Sequence, residues 1–145
     1  MSIRYGLAVP DDYDGIALVA KQAVRELGYT MPPVYRASIA NEEMIVAYSD
    51  SRVVGFIQYH RRRDCIITIY KFAVDTEERG KGIGKGMLEF LEQRNRDLLL
   101  SDSIRLKVIE GTPAVDFYKA VGFKITETEP SKKTTLYVME KELGV

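Results

Sequence analysis

Tryptophan is absent from the 145 residues, and cysteine and histidine occur once each. The single thiol, Cys65, cannot close an internal disulfide, so nothing in the chain asks for an oxidising compartment. Net charge is missing too: 21 basic residues balance 21 acidic ones, which removes the overall positive field that favours nucleic acid or anionic membranes. Any charged ligand must then be held by local groups. No apolar stretch approaches the roughly 20 residues that span a bilayer, and Met1 to Pro10 has neither the charged start nor the apolar run of a signal peptide. These absences lead to the expectation of a soluble, cytoplasmic protein with no membrane partner and no nucleic-acid partner.

What is present is ordinary in bulk. Hydrophobic residues make up 46% and charged residues 29%, the balance of a folded globular chain rather than a disordered or fibrous one. A chain of this length suits one domain, expected over residues 1–145, burying about two thirds of the surface its unfolded form exposes.

Local patterns set the order of elements. Ile3 to Val9 is short and β-branched, and Pro10-Asp11-Asp12 supplies stop and cap chemistry ahead of a helix. In that helix Ile16, Val19, Ala20, Ala23, Val24 and Leu27 recur at helical spacing, and Gly28 suits a left-handed cap. Tyr29 to Pro33 is a proline-broken link, followed by a short helix over Val34 to Ala40. Met44 to Tyr48 and Val53 to Tyr59 form a hairpin across Ser49-Asp50-Ser51-Arg52. Beyond the turn Arg61-Arg62-Arg63-Asp64, the run Cys65 to Val74 alternates β-branched and aromatic residues and is expected to be a central strand. A helix through Met87, Leu88, Phe90, Leu91 and Leu98 comes next, then a strand over Ile104 to Ile109. Thr112-Pro113 opens another helix with a hydroxyl cap and a proline at its first position, and Gly122 closes it. Phe123 to Thr126 and Thr134 to Met139 finish the sheet around a polar loop, Glu127 to Lys133. The predicted order βααβββαβαββ implies an α/β (α+β) fold, a mixed and mostly antiparallel sheet of about seven strands covered by about four helices.

The densest glycine run, Arg79-Gly80-Lys81-Gly82-Ile83-Gly84-Lys85-Gly86, lies where a strand feeds a helix. A helix that starts in glycines offers unpaired backbone N–H groups and the positive end of its dipole, and the absent side chains let a phosphate come close. Arg79, Lys81 and Lys85 add charge beside it. A tight turn with a solvated basic rim is the plainer reading, though four glycines at every second position exceed what a turn needs. Two nucleotide loops fail on spacing. Walker A needs Gly-Lys followed by Ser or Thr, which no pair here supplies. The dinucleotide pattern G-x-G-x-x-G needs glycine where Lys85 or Met87 stands.

Val74 to Gly84 resembles the acyl-CoA loop of the GNAT superfamily, [RQ]-x-x-G-x-[GA], with Arg79, Gly82 and Gly84 at the matching positions. Ala114-Val115-Asp116-Phe117-Tyr118-Lys119-Ala120-Val121-Gly122-Phe123 resembles the family's A-x-x-[FL]-Y-x-x-x-G-F segment, one strand downstream as expected. The resemblance implies an N-acetyltransferase that uses acetyl-CoA and no metal. It implies loop amides from Arg79 to Lys85, including Gly80, Lys81 and Ile83, on the coenzyme A pyrophosphate. It further implies backbone groups of Phe72, Ala73 and Val74 along the pantetheine arm and the oxyanion, and Tyr118 as general acid for the leaving thiolate.

Acyl transfer also needs a neutral amine, and here the sequence departs from its relatives. Gly111 stands where many have a cofactor-contacting Asn, and the alternating set Ile66-Thr68-Tyr70-Phe72 carries no acid where some have a glutamate base. Glu42, Glu43, Asp75, His60 or ordered water remain open as the base. Tyr29, Met31, Pro33 and Tyr35 are expected to face the acceptor, a small-molecule amine or a peptide, or else to pack as a lid. Arg61-Arg62-Arg63 reads as a solvated turn, and Cys65 as a small strand residue. A noncatalytic acyl-CoA sensor is the alternative function, and a homodimer through the last strands or first helices fits this architecture.

Overall fold

The computed structural model describes residues 2–23, 30–98 and 101–144. Strands β1 (Ile3–Leu7), β2 (Met44–Ser49), β3 (Arg52–Arg61), β4 (Ile66–Val74), β5 (Ser103–Ile109), β6 (Lys124–Ser131) and β7 (Thr134–Glu142) form one sheet in the order β1-β2-β3-β4-β5-β7-β6. Neighbours run antiparallel except β4 and β5. Four α-helices accompany it among the described residues: α1 (Tyr13–Gln22), α2 (Pro32–Ala40), α3 (Ile83–Leu98) and α4 (Pro113–Ala120). The expected element order and the central place of the long strand both hold.

Strand β2 is buried along its whole length because it is covered on both faces. Met44, Val46 and Tyr48 meet Ile16 and Val19 of α1 and Tyr35 and Ile39 of α2. Ile45 and Ala47 join Ile83, Met87, Leu88 and Leu91 of α3, in a core shared with Val115 and Tyr118 of α4. The sheet therefore separates two apolar layers, and the half carrying β6 and β7 leaves one face without a helix.

Several local readings change. The first strand stops at Leu7 rather than Val9, since Pro10–Asp12 winds one 3₁₀ turn. There Asp12 accepts hydrogen bonds from the Val9 amide at 2.8 Å and the Tyr48 hydroxyl at 2.5 Å. Helix α1 runs to Gln22, and the positions Val24, Leu27 and Gly28 lie outside the described residues, as does Tyr29. Helix α2 begins two residues early because Pro32 and Pro33 occupy its first turn, where a missing N–H is harmless. Cys65 is a turn residue with φ of 64°, exposed, not part of the strand. The expected loop from Glu127 to Lys133 is mostly strand: β6 continues to Ser131, and Lys132-Lys133 alone turn the chain. Pro130 is tolerated because β6 is an edge strand. Leu98 is half exposed at the end of α3 instead of lying in its core stripe.

Candidate active site

The long strand does not alternate throughout. Ile67 and Ile69 face the α3 layer, and so do Phe72 and Val74, although two-residue periodicity would put Phe72 and Val74 on the other face. A bulge makes the exchange. Gln58 of β3 pairs with Lys71 while Tyr59 pairs with Ile69, so Tyr70 is the extra residue on β4. Thr68 and Tyr70 thus remain on the helix-free face, while Phe72 crosses to meet α4. The set Ile66-Thr68-Tyr70-Phe72 is split by this step, which no residue type in the run announces.

Strands β4 and β5 pair only over Ile66 to Thr68 against Ser103 to Arg105. Past Thr68 they diverge, leaving one backbone edge of β4 from Ile69 to Val74 without a strand partner. An open edge offers N–H and C=O groups to an extended amide-containing chain. Phe72, Ala73 and Val74 all lie on this stretch, and Ala73 is buried against Phe56 in the α1 layer.

The glycine loop sits at the end of that edge. Gly80 and Gly82 have φ of 80° and 79°, with open space where a β-carbon would stand. Such backbone suits glycine alone among ordinary residues. The amide of Gly86 bonds the Gly82 carbonyl at 3.0 Å, so the N–H groups of Ile83, Gly84 and Lys85 precede the first intrahelical bond of α3. The other two glycines serve packing. A β-carbon on Gly84 would press on the ring of Phe72 at 3.3 Å, and one on Gly86 would overlap the Tyr5 hydroxyl. Half of the glycine run that suggested an anion site is therefore explained by the neighbours of α3.

Behind the loop stands a polar brace that the sequence did not reveal. Arg52 at the start of β3 reaches Asp75 and Glu78, each at 3.1 Å, and Lys81 lies 2.7 Å from the other Glu78 oxygen. Asp75 also accepts the Glu77 amide at 2.9 Å, and Gln22 of α1 accepts the Thr76 amide at 2.9 Å. Both carboxyls are held below the usual range, Asp75 first by that backbone bond and Glu78 first by Lys81. Lys81 is thereby engaged inward. Arg79 is exposed without an ion pair among the described residues, and Lys85 is exposed 4.0 Å from Glu89. The signal available in sequence was Asp75-x-x-Glu78 ahead of the glycines, but its partner Arg52 is more than twenty residues away.

Tyr118 projects from α4 into an aromatic cluster, its ring edge-on to Phe72, Phe117 and Phe123 at 5.4 to 5.9 Å between centroids. Its hydroxyl has no hydrogen-bond partner among the described residues, and burial pushes its pKa upward. At neutral pH it is a protonated donor. Thr112, expected as a hydroxyl cap, instead donates to the Ile109 carbonyl at 2.8 Å and makes no side-chain cap to α4.

The acceptor-side expectations fare unevenly. Tyr35 is buried edge-on to Phe56, so it is core, whereas Met31 is 62% exposed. Among the candidate bases, Glu42 pairs with Arg94, Glu43 bonds His60 and the Arg61 amide, and Asp75 belongs to the brace. None of them lines the helix-free cavity beside the fork, which is bounded by Thr68, Tyr70, Arg105, Lys107, Glu127 and Glu129 and measures about 500 Å³. Among the described residues no cluster of His, Cys, Asp or Glu is placed to hold a metal ion.

Residues 17–143 match the family model described as an acetyltransferase (GNAT) domain. The chain belongs to the GNAT family. Its fold superposes on Ard1 from Thermoplasma volcanium with a TM-score of 0.87 at 25% identity, covering 98% of each chain. It superposes on the PaiA N-acetyltransferase of Thermoplasma acidophilum, solved in complex with coenzyme A, with a TM-score of 0.83 at 20% identity over 98% of this chain and 99% of that one. In sequence it is 27% identical over 106 residues to the peptidyl-lysine N-acetyltransferase YiaC of Escherichia coli K12, covering 73% of this chain. The chain spans less than two thirds of the length of the curated relatives it matches, 25% of one and 66% of the other. As a GNAT chain it carries Gly111 in an exposed turn at φ of 82°, so no side chain is available there for a cofactor contact.

Proposed function

We propose that this chain is an acetyl-CoA dependent N-acetyltransferase that transfers an acetyl group to a primary amine of a small molecule or peptide by direct attack on the thioester. The observation that carries the reading is the open edge of β4 running into the bare amides of α3, with the unpartnered Tyr118 hydroxyl beside Phe72. The cosubstrate supplies the acetyl group and a thiolate leaving group. Toward it, the amides of Gly82 to Lys85 and the charge of Arg79 suit the pyrophosphate, and the edge from Phe72 to Val74 suits the amide-bearing pantetheine arm. Tyr118 stays protonated at neutral pH and donates a hydrogen bond where negative charge develops. Lys81 acts through Glu78, shaping the loop rather than touching the phosphate.

Thiol release from acetyl-CoA, measured across a panel of a diamine, a peptide with a free N-terminus and a blocked lysine peptide, tests the proposal. Turnover with at least one acceptor is expected. Coenzyme A binding by calorimetry without turnover on any amine would favour a noncatalytic sensor, and tight ATP or NAD binding without coenzyme A binding would overturn both. The exposed, unpaired Cys65 supports a reducing, cytoplasmic setting. A homodimer is part of the same reading, and sedimentation tests it.

A further inference from the structure

The charged side chains lining the helix-free cavity beside the fork are Arg62, Arg105, Lys107, Glu127 and Glu129. All but one are committed. Arg105 bonds Glu140 at 2.6 Å, Lys107 bonds Glu129 at 3.1 Å and Arg62 pairs with Asp64 at 3.1 Å. Glu127 alone has no ion pair or hydrogen bond to a described residue. Each lining cation is thus offset by its own acid, and one carboxylate is left over. Its place on the sheet sets what it can reach. Glu127 pairs with Val138 of β7, and Val138 pairs with Lys107 of β5, so the carboxylate stands two strands out from β5 on the face that carries Tyr70. At about 4.8 Å per strand, that is on the order of 10 Å from the fork. Exposed Tyr70 and buried Val138 give the cavity apolar lining of the kind that a methylene chain covers. Protection of an edge strand asks only for charge of either sign on β6. It does not ask for an unmatched carboxylate inside a cavity whose other charges are all matched.

We propose that Glu127 is a specificity-determining residue that selects acceptors with two positive charges, taking the distal cationic group of an amine that reacts at the fork. The inference rests on the acetyltransferase reading and deepens it by naming the charge class of the acceptor. A separation on the order of 10 Å between the two cationic groups fits a long diamine or a peptide lysine with a basic residue nearby, and a short diamine cannot bridge it. The distal group lies far from the reacting atoms. Glu127 therefore holds it equally in the ground state and the transition state, and the selection falls on KM rather than on kcat.

Steady-state kinetics with octamethylenediamine and with the amino alcohol of the same length compare two acceptors that differ in the distal charge. Wild type is expected to favour the diamine about tenfold in kcat/KM per reacting amine, the usual worth of a hydrogen bond to a charged group, and to do so through KM. Glu127→Gln keeps the shape at an exposed edge position. In that variant the diamine should fall to the level of the amino alcohol, while kcat, the amino alcohol kinetics, the Kd for coenzyme A and Tm stay as in wild type. Ethylenediamine, too short for the span, should show no such gain over ethanolamine. Equal kcat/KM for the long diamine and its amino alcohol in wild type would overturn the charge class. A preference that survives Glu127→Gln, or one equally large for ethylenediamine, would remove Glu127 from the selection. In each of these cases turnover of the amino alcohol leaves the acetyltransferase reading standing. A wild-type chain that turns over no amine overturns that reading, and this inference with it.

Discussion

Tyr118 and Phe72 meet edge to face with ring centroids 5.9 Å apart, one from helix α4 and the other from the diverging strand β4. The contact fixes the phenol against the edge where an extended ligand would lie, yet leaves its hydroxyl without a protein partner. Tyr118→Phe should therefore keep the ring packing and the fold. Turnover is expected to fall by about 10² to 10⁴, the usual value of a positioned proton donor, with Tm and the Kd for coenzyme A nearly unchanged. Near-normal turnover in single-turnover assays would remove Tyr118 from the chemistry.

The two glycine pairs of the loop should separate binding from folding. Gly82→Ala places a β-carbon on backbone at φ of 79° in open space, straining the turn by roughly 1–2 kcal/mol and intruding where phosphate would approach. Its main effect should be a weaker Kd for coenzyme A. Gly86→Ala collides with Tyr5, so it should lower stability by about 1–3 kcal/mol as an overpacked contact, and pairing it with Tyr5→Ala should return part of the loss. Chemical denaturation and calorimetry on the same variants check the split. A Gly86→Ala protein with normal stability would show that Tyr5 moves aside freely.

How much of this was readable in the sequence follows from the range over which each signal acts. The order of elements, the glycine start of α3 and the Pro113 start of α4 are set by neighbours a few residues apart, and they were legible, whereas the Thr112 hydroxyl turned back to Ile109 instead of capping the helix. The bulge at Tyr70 was not, because it depends on the register between β3 and β4 and leaves no mark in residue type. The brace of Arg52 with Asp75 and Glu78 joins segments brought together only by the hairpin. The full length of strand β6 was not legible either, because Pro130 and the charges around it have the composition of a loop, and only the edge position explains them.

Lys141 links three elements from β7. Its ammonium lies 2.9 Å from Glu92 of α3 and donates to the Val121 carbonyl at the end of α4 at 2.7 Å. Glu92 is only 4% exposed, so removing its partner leaves a buried carboxylate with Arg96 alone, at 3.4 Å. Lys141→Met should destabilise by about 1–3 kcal/mol. The double variant Lys141→Met with Glu92→Leu should recover much of that, since an apolar pair replaces a broken ionic one. Equal losses in single and double variants would show that packing of the lysine stem, not the stranded charge, sets the effect.

Acid should loosen the glycine loop before it unfolds the sheet. Asp75 and Glu78 are held below their ordinary values of 3.8 and 4.5, by the Glu77 amide and by Lys81 respectively, with Arg52 adding to both. For carboxyls depressed in the folded state, the stabilisation is fully present above the ordinary values and is lost as pH falls through the lower folded ones. Protonating Glu78 releases Lys81 and one arm of Arg52, so the turn that presents the α3 amides loses its support. The Tm difference between wild type and Glu78→Gln should be largest near pH 7 and close as pH drops below about 4.5, the ordinary glutamate value. Affinity for coenzyme A should weaken over the same interval in wild type and change less in Glu78→Gln, which lacks the titrating group. A Tm difference that stays constant from pH 7 to pH 3 would mean that the carboxylate charge of Glu78 does not hold the loop.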